Sequence, residues 1–272
     1  MLTAAVCASC SSDPDAPPER GDGDGGAFPD GNAPDRSERD GGAADGSPGR
    51  DANPEPDADA ADDFRCPPAM RAIPAGSFER NDAGITVGPF CLDRTEVTLG
   101  SFRACVTAGA CDPIPASADE RCNSRGTARD GHPADCVTAV QAESFCAWLG
   151  KRLPSSDELS WAARGASANA KYPWGSADPT PADDPPRLCW APISADHTCT
   201  TGAFAGGASP QGVFDLAGNV WEWTSTEAGT GNRRVQGGAY WDEAPLALFQ
   251  ADYWEPMPAD TAAPAYGFRC AM

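Results

Sequence analysis

The residues with the most obvious capacity for chemistry in this 272-residue chain are its twelve cysteines. Ten of them stand at 66, 91, 105, 111, 122, 136, 146, 189, 199 and 270. Cysteines in such number either bind a soft metal or pair with one another. A zinc site needs closely spaced Cys-x-x-Cys ligands or neighbouring histidines. This stretch has neither, its histidines being only His132 and His197. An even number scattered through Gly- and Pro-rich sequence reads as a disulfide framework, and hence as an oxidising, extracytoplasmic compartment. Proximity along the chain suggests Cys66–Cys91, Cys105–Cys111, Cys122–Cys136 and Cys189–Cys199. No Ser-His-Asp arrangement, phosphate-cradling glycine loop or His-rich cluster stands out, so no catalytic residue is assigned.

The elements that must position these residues all lie in the C-terminal part. Residues 11–65 consist almost wholly of Asp, Gly, Ala, Pro, Glu, Asn, Ser and Arg, with Phe28 and Phe64 as the only aromatics and no Leu, Ile, Val or Trp. Such a segment cannot bury enough apolar surface to offset the entropy of ordering it. It is expected to be a disordered acidic linker, and it carries roughly half of the net charge of -20. Residues 66–272 then form one domain. Lysine occurs only at 151 and 171, which argues against nucleic-acid binding. No apolar run has the length of a membrane-spanning helix.

Local patterns give the domain an α+β class with much irregular structure. Strands are predicted over 72–78 and 88–96, with turn residues Asn81, Asp82 and Gly84 between them. Thr98 is a predicted N-cap, followed by Leu99, Phe102, Cys105 and Val106 at helical spacing and a stop at Gly109. A second helix opens with the capping box Thr138–Gln141, turns Ala142, Phe145, Cys146 and Leu149 inward, and ends at Gly150. A third opens with Ser155–Glu158, shows Leu159 and Ala162 to the core, and ends at Gly165. Loops are predicted from 172 to 215, and short strands over 233–237 and 266–270.

At the other end, residues 1–10 (Met-Leu-Thr-Ala-Ala-Val-Cys-Ala-Ser-Cys) place small residues before Cys10 and a polar tether after it. This resembles the end of a bacterial lipoprotein signal, with Cys10 as the lipidated residue. It lacks a basic start and a full apolar stretch, and Cys7 stands where a larger aliphatic residue is usual. The alternative is the end of an ordinary signal peptide without lipid.

Six motifs, taken in order, resemble the formylglycine-generating-enzyme (sulfatase-modifying-factor) family. They are Phe90-Cys-Leu-Asp-Arg-Thr-Glu-Val-Thr98, Phe145-Cys-Ala-Trp-Leu-Gly-Lys-Arg-Leu-Pro154 with Ala163-Arg-Gly165, and Tyr172-Pro-Trp-Gly175. Then follow Asp215-Leu-Ala-Gly-Asn-Val-Trp-Glu-Trp-Thr224, Gly237-Gly-Ala-Tyr240 and Gly267-Phe-Arg-Cys-Ala271. The resemblance spans essentially all of 66–272 and implies that family's fold, a variant of the C-type-lectin-like fold. It also implies the pairing Cys146–Cys270. Active members oxidise a sulfatase cysteine with copper held by two cysteines placed just after the Gly-Gly-Ser-Tyr turn. Here those two positions read Asp242 and Ala247, and the serine reads Ala239. Copper(I) prefers soft thiolates, which a carboxylate and an alanine do not replace, so no copper is expected. A further family bridge falls at Ala163 and Asp252, where both cysteines are missing, and the tryptophan usual early in the second helix is Ala139.

The resemblance further implies one calcium site, with side-chain oxygens from Asp215 and Glu222 and backbone carbonyls at Gly218 and Val220. The alternative is that Asp215 caps a turn and Glu222 pairs with an arginine. The family's other calcium site is expected to be lost, because Leu188 stands at its asparagine position. By analogy with lectin-like folds, Tyr240, Trp241, Asp242, Glu243, Tyr253 and Trp254 are the candidate ligand-binding surface. Aromatics mixed with acids suit a sugar, a cationic peptide or a protein partner; for Trp241 and Trp254 taken singly, core or rim packing is the favoured reading. The resulting expectation is a monomeric, non-catalytic binding or scaffold module in the cell envelope, its partner an envelope protein or glycan. The alternative is an enzyme with altered chemistry on the same fold.

Overall fold

The computed structural model describes residues 65–115, 119–126, 128–167, 169–194 and 196–272. The expected signal remnant at 1–10, with Cys7 and Cys10, and the expected linker up to Phe64 lie outside the described residues. Among the described residues from 65 on, the structure is α+β, with two small antiparallel pairs, one four-stranded sheet, four α-helices and long irregular connections; the fourth helix is a single turn, Ala191–Ser194, within the stretch expected to be loops.

The strand predicted over 72–78 is cut at Pro74. β1 (Met70–Ile73) stops before it and β2 (Gly76–Arg80) starts after it, because proline has no N–H for a ladder. Gly88-Pro89 likewise divides β3 (Ala83–Val87) from β4 (Phe90–Asp93). β1 pairs with β4, and β2 pairs with β3 around Asn81 and Asp82. Both turn residues are left-handed, with φ of 51° and 62°, as a two-residue hairpin turn requires.

The helices follow their caps. In α1 (Leu99–Thr107) the Thr98 side chain accepts from the Ser101 N–H. α2 (Ala139–Trp148) and α3 (Ser156–Ala163) each begin with a complete capping box, formed by Thr138 with Gln141 and Ser155 with Glu158. Leu149, expected in the core, is 43% exposed. It is the C-cap residue of α2 and lies beyond the buried stripe of Ala139, Ala142, Phe145 and Cys146.

The four-stranded sheet has the order β7-β6-β5-β8, where β5 is Trp221–Glu227, β6 Asn232–Gln236, β7 Trp254–Pro258 and β8 Tyr266–Gly267. β3, β5 and β7 are strands that the sequence patterns did not mark, and Gly84, expected in the turn, pairs with Glu79 inside β3. The strand predicted over 266–270 is only two residues long, because the chain then leaves β5 for other partners. Phe268 accepts from the Val97 N–H, and Cys270 from the Asp93 N–H. Under this sheet lies a core in which the Phe145 ring packs 5.4 Å from Phe268 and 5.9 Å from Phe102. Trp223 is fully buried beside them and donates its indole N–H to the Val137 carbonyl at 2.9 Å, satisfying its one polar atom.

Five disulfides close the domain: Cys66–Cys91, Cys105–Cys111, Cys122–Cys136, Cys146–Cys270 and Cys189–Cys199. The Cys146–Cys270 bridge spans 124 residues and ties α2 to the C-terminal segment, whereas Cys105–Cys111 spans six. In the chain-entropy model these removals cost about 5 and about 2 kcal/mol respectively. Replacing both cysteines of the long bridge by alanine should therefore lower the melting temperature far more than the same change at Cys105 and Cys111. Equal losses in thermal unfolding would contradict this.

Candidate functional site

Two clusters merit a close account: a buried polar centre where the sequence motifs meet, and the surface turn that follows β6. The centre is built around Arg269, whose side chain is fully buried. Its Nε donates to Glu222 Oε2 at 2.7 Å and its Nη2 to Glu222 Oε1 at 2.6 Å, a two-pronged ion pair. Nη2 also donates to the Asp215 carbonyl at 3.1 Å. Close by, Asn219 donates to Glu96 Oε2 at 2.7 Å and accepts from the Cys199 N–H at 2.8 Å. Asp215, left-handed at φ 54°, accepts from the Gly202 N–H at 2.5 Å.

Three buried carboxylates thus face one guanidinium. Burial and mutual repulsion push Glu96 well above the usual carboxylate range, and burial moves Asp215 up to about 6. These residues do not fit the calcium ion implied by the family resemblance. Both Glu222 oxygens are engaged by Arg269, and an Asp215 oxygen is engaged by Gly202. The guanidinium stands as the cation beside Glu222, the arginine partner that the alternative reading of Glu222 expected.

The surface turn starts at Gly238, a position that demands glycine. Its φ is 75°, and a Cβ there would lie 2.6 Å from the Phe249 ring. Ala239 and Tyr240 follow, both buried. Asp242 then folds back, and its Oδ2 accepts from the Ala239 N–H at 2.8 Å and from the Trp221 indole N–H at 3.0 Å. Burial raises its pKa. Ala247, the second position aligned with a family copper ligand, sits half-buried in the 3-10 turn Leu246–Phe249. All ten cysteines of the described residues are in disulfides. The residues at this turn offer copper no thiolate pair and do not fit it.

The six candidate surface residues do not form one face. Trp241 and Tyr253 are half-buried and pack on the same core as Tyr240, and the Tyr253 ring lies 6.1 Å from Trp221. Tyr240 itself is 1% exposed and belongs to that core, which corrects its assignment as a surface contact. Its hydroxyl has no hydrogen-bond partner, and burial pushes its pKa up to about 12. Trp254 stands apart from this group, with the Arg234 guanidinium 4.1 Å from its ring centre, and Glu243 is exposed. Trp241 is covered in the same way by Arg121, at 5.3 Å. Neither arginine was marked by sequence, since nothing local ties residue 121 to 241 or 234 to 254. Glu255, which accepts from the Tyr253 hydroxyl at 2.8 Å, was also unmarked, although its position two residues on is where a strand returns to the same face.

Behind Tyr240 lies Asp135, fully buried, whose Oδ1 accepts from the Asn123 N–H at 2.8 Å while Oδ2 has no partner. Burial raises its pKa to about 7.

Residues 56–272 match the model of the sulfatase-modifying factor enzyme 1-like domain, and the chain belongs to that family. Among curated relatives, an inactive C-alpha-formylglycine-generating enzyme 2 of Bos taurus is 34% identical over 154 residues, covering 51% of this chain and 50% of that protein. A hercynine oxygenase of Mycolicibacterium smegmatis is 38% identical over 97 residues, covering 35% of this chain and 22% of that protein. The chain therefore spans half or less of the length of these two relatives. PvdO of Pseudomonas aeruginosa superposes with a TM-score of 0.60 at 22% identity, covering 74% of this chain and 93% of that one, a likeness of fold.

Two predictions follow from the buried groups. Arg269→Gln should cost about 3–5 kcal/mol, because it leaves Glu222 buried without its partner, whereas a calcium chelator should leave the wild-type melting temperature unchanged. A chelator-induced drop in calorimetry would restore the calcium assignment. The second concerns Asp135, whose folded pKa of about 7 lies above the unfolded value of about 3.9. The folded state therefore binds more protons between those values, and its stability should fall as pH rises from about 4 to about 7, then level off. In urea unfolding at a series of pH values, Asp135→Asn should flatten that slope; an unchanged slope would exclude Asp135 as its source.

Proposed function

We propose that this protein is a non-catalytic, extracytoplasmic binding or scaffold module of the sulfatase-modifying-factor family, tethered to the cell envelope. The observation that carries the reading is the role of Asp242. At the position where an oxidising member would present its first thiolate, this carboxylate closes a turn between Ala239 and Trp221. It is a structural cap and offers nothing to copper or to a substrate thiol. A relative named as inactive, alongside one named as an oxygenase, shows that proteins of both kinds share this sequence background. An enzyme with altered chemistry finds less support, since Tyr240 and Asp135 are sealed from solvent and Asp242 is held by two donors.

Placement outside the cytoplasm is supported by five disulfides, which persist in oxidising compartments. Tethering at Cys10, with an acidic linker leading to the domain, completes the proposal. Among the described residues no helix is long and apolar enough to cross a membrane.

Incubated with copper, oxygen and a Cys-x-Pro-x-Arg peptide, the purified protein should form no aldehyde above a protein-free control. Mass-spectrometric detection of formylglycine would refute the reading. Asp242→Ala should in turn cost about 1–3 kcal/mol of stability, through the unpaired Ala239 N–H and Trp221 indole. No change in unfolding free energy would show that Asp242 is not the cap inferred here.

A further inference from the structure

We propose that a cavity beside Trp241 binds an oxyanion group: the carboxylate, sulfate or phosphate of the ligand that this module holds. The inference rests on the binding reading above and names the chemistry of one part of that ligand. The cavity encloses about 230 Å³ between the 120–129 loop and Asp196-His197. Arg121, Arg125, Arg129 and His197 line it, together with Glu120 and Asp196. In a chain with twice as many acidic as basic residues, three arginines at four-residue spacing converge here. One of the chain's two histidines lines the cavity. The other, His132, stands close enough to Arg129 and His197 for their charge to help lower its pKa.

The two carboxylates that line the cavity are solvent-exposed, and Asp119 holds Arg121 at 2.9 Å. The net field is therefore small, and the case rests on how the donors are held. Arg129 is half-buried and donates through Nη1 to Asn123 Oδ1 at 3.1 Å. Asn123 is itself fully buried and fixed: its N–H meets Asp135, and its amide donates at 2.9 Å to both the Pro133 carbonyl and the Thr198 hydroxyl.

Gly126 supplies the second observation. Its backbone, φ -85° and ψ 153°, is one that any residue adopts. A Cβ there would nevertheless fall 2.7 Å from Arg129 Cδ and 2.8 Å from Nε. The glycine leaves room for the arginine stem to lie across it. A guanidinium so held is a preorganised planar fork, the donor geometry that matches two oxygens of one anion. Arg121 lies at the cavity with its guanidinium over the Trp241 ring, which places the cavity next to that turn.

The test is isothermal titration of the full chain with inorganic sulfate, inorganic phosphate or acetate, with chloride holding the ionic strength constant. At least one oxyanion should bind saturably, and the three arms identify which group is preferred. Gly126→Ala should weaken that binding by about tenfold or more, because the Arg129 stem must shift away from the position that its bond to Asn123 sets. Arg129→Gln should abolish it. The proposal is overturned if no oxyanion saturates in the millimolar range, or if both variants bind as the wild type does. Such a failure, alongside a still-silent peptide oxidation assay, would remove the oxyanion site and leave the non-catalytic reading standing.

Discussion

The Arg269–Glu222 pair is the interaction on which the arrangement of this domain turns. Arg269 follows β8 and Glu222 lies in β5, so the pair fixes the C-terminal segment against the four-stranded sheet. A buried guanidinium and carboxylate are costly to desolvate, and geometry has to repay that cost. Here the repayment comes from two short parallel bonds and two backbone carbonyls, those of Asp93 and Asp215. Asp93 then reaches on to the Cys270 N–H and to Lys151, so β4, the start of the segment after α2, and the chain end share one polar seam. The Cys146–Cys270 bridge is attached to that seam one residue from Arg269.

The surface turn depends on the same strand. Trp221 precedes Glu222 in β5, and its indole N–H reaches Asp242. The polar centre and the turn are therefore two sides of one strand, and a change in β5 register would disturb both. A comparable substitution is seen elsewhere in the domain. Where the family resemblance implies a bridge between positions 163 and 252, this protein has Ala163 and Asp252. Asp252 forms an ion pair with Arg164, the neighbour of Ala163. A non-covalent contact joins the end of α3 to the segment before β7 in place of a covalent one.

How much of this was legible beforehand follows from the range of each interaction. The three helix starts were readable because a cap is settled within four residues, and Thr98, Thr138 and Ser155 all act as caps. The evenness of ten cysteines pointed to a disulfide framework without reference to geometry. Ordered motifs carried the family, and the structure brings residues of three of them together: Glu96, Asn219, Glu222 and Arg269 meet at one point. Strand limits were less legible: Pro74 interrupts the strand expected over 72–78, and Pro89 moves the start of the one expected over 88–96 to Phe90. The division between surface and core at Tyr240, and the arginines covering Trp241 and Trp254, depended on contacts more than a hundred residues apart or across a sheet. The cavity at Arg129 had no sequence signal except a glycine whose purpose only the coordinates show.

The persistence of the scaffold around an altered turn has a physical basis. A metal-binding thiolate pair must remain exposed and reactive, which leaves its neighbourhood underdetermined by packing. Asp242 instead accepts from one backbone and one side-chain donor, the Ala239 N–H and the Trp221 indole, and so satisfies the protein's own polar groups. Nothing in the polar centre opposes that exchange, because Arg269 and Glu222 need only each other and the carbonyls around them. The turn and the seam beneath it thus rest on separate sets of contacts. The donors that gather beside Trp241 lie on a loop pinned by Cys122–Cys136 and by Asn123 rather than by the sheet.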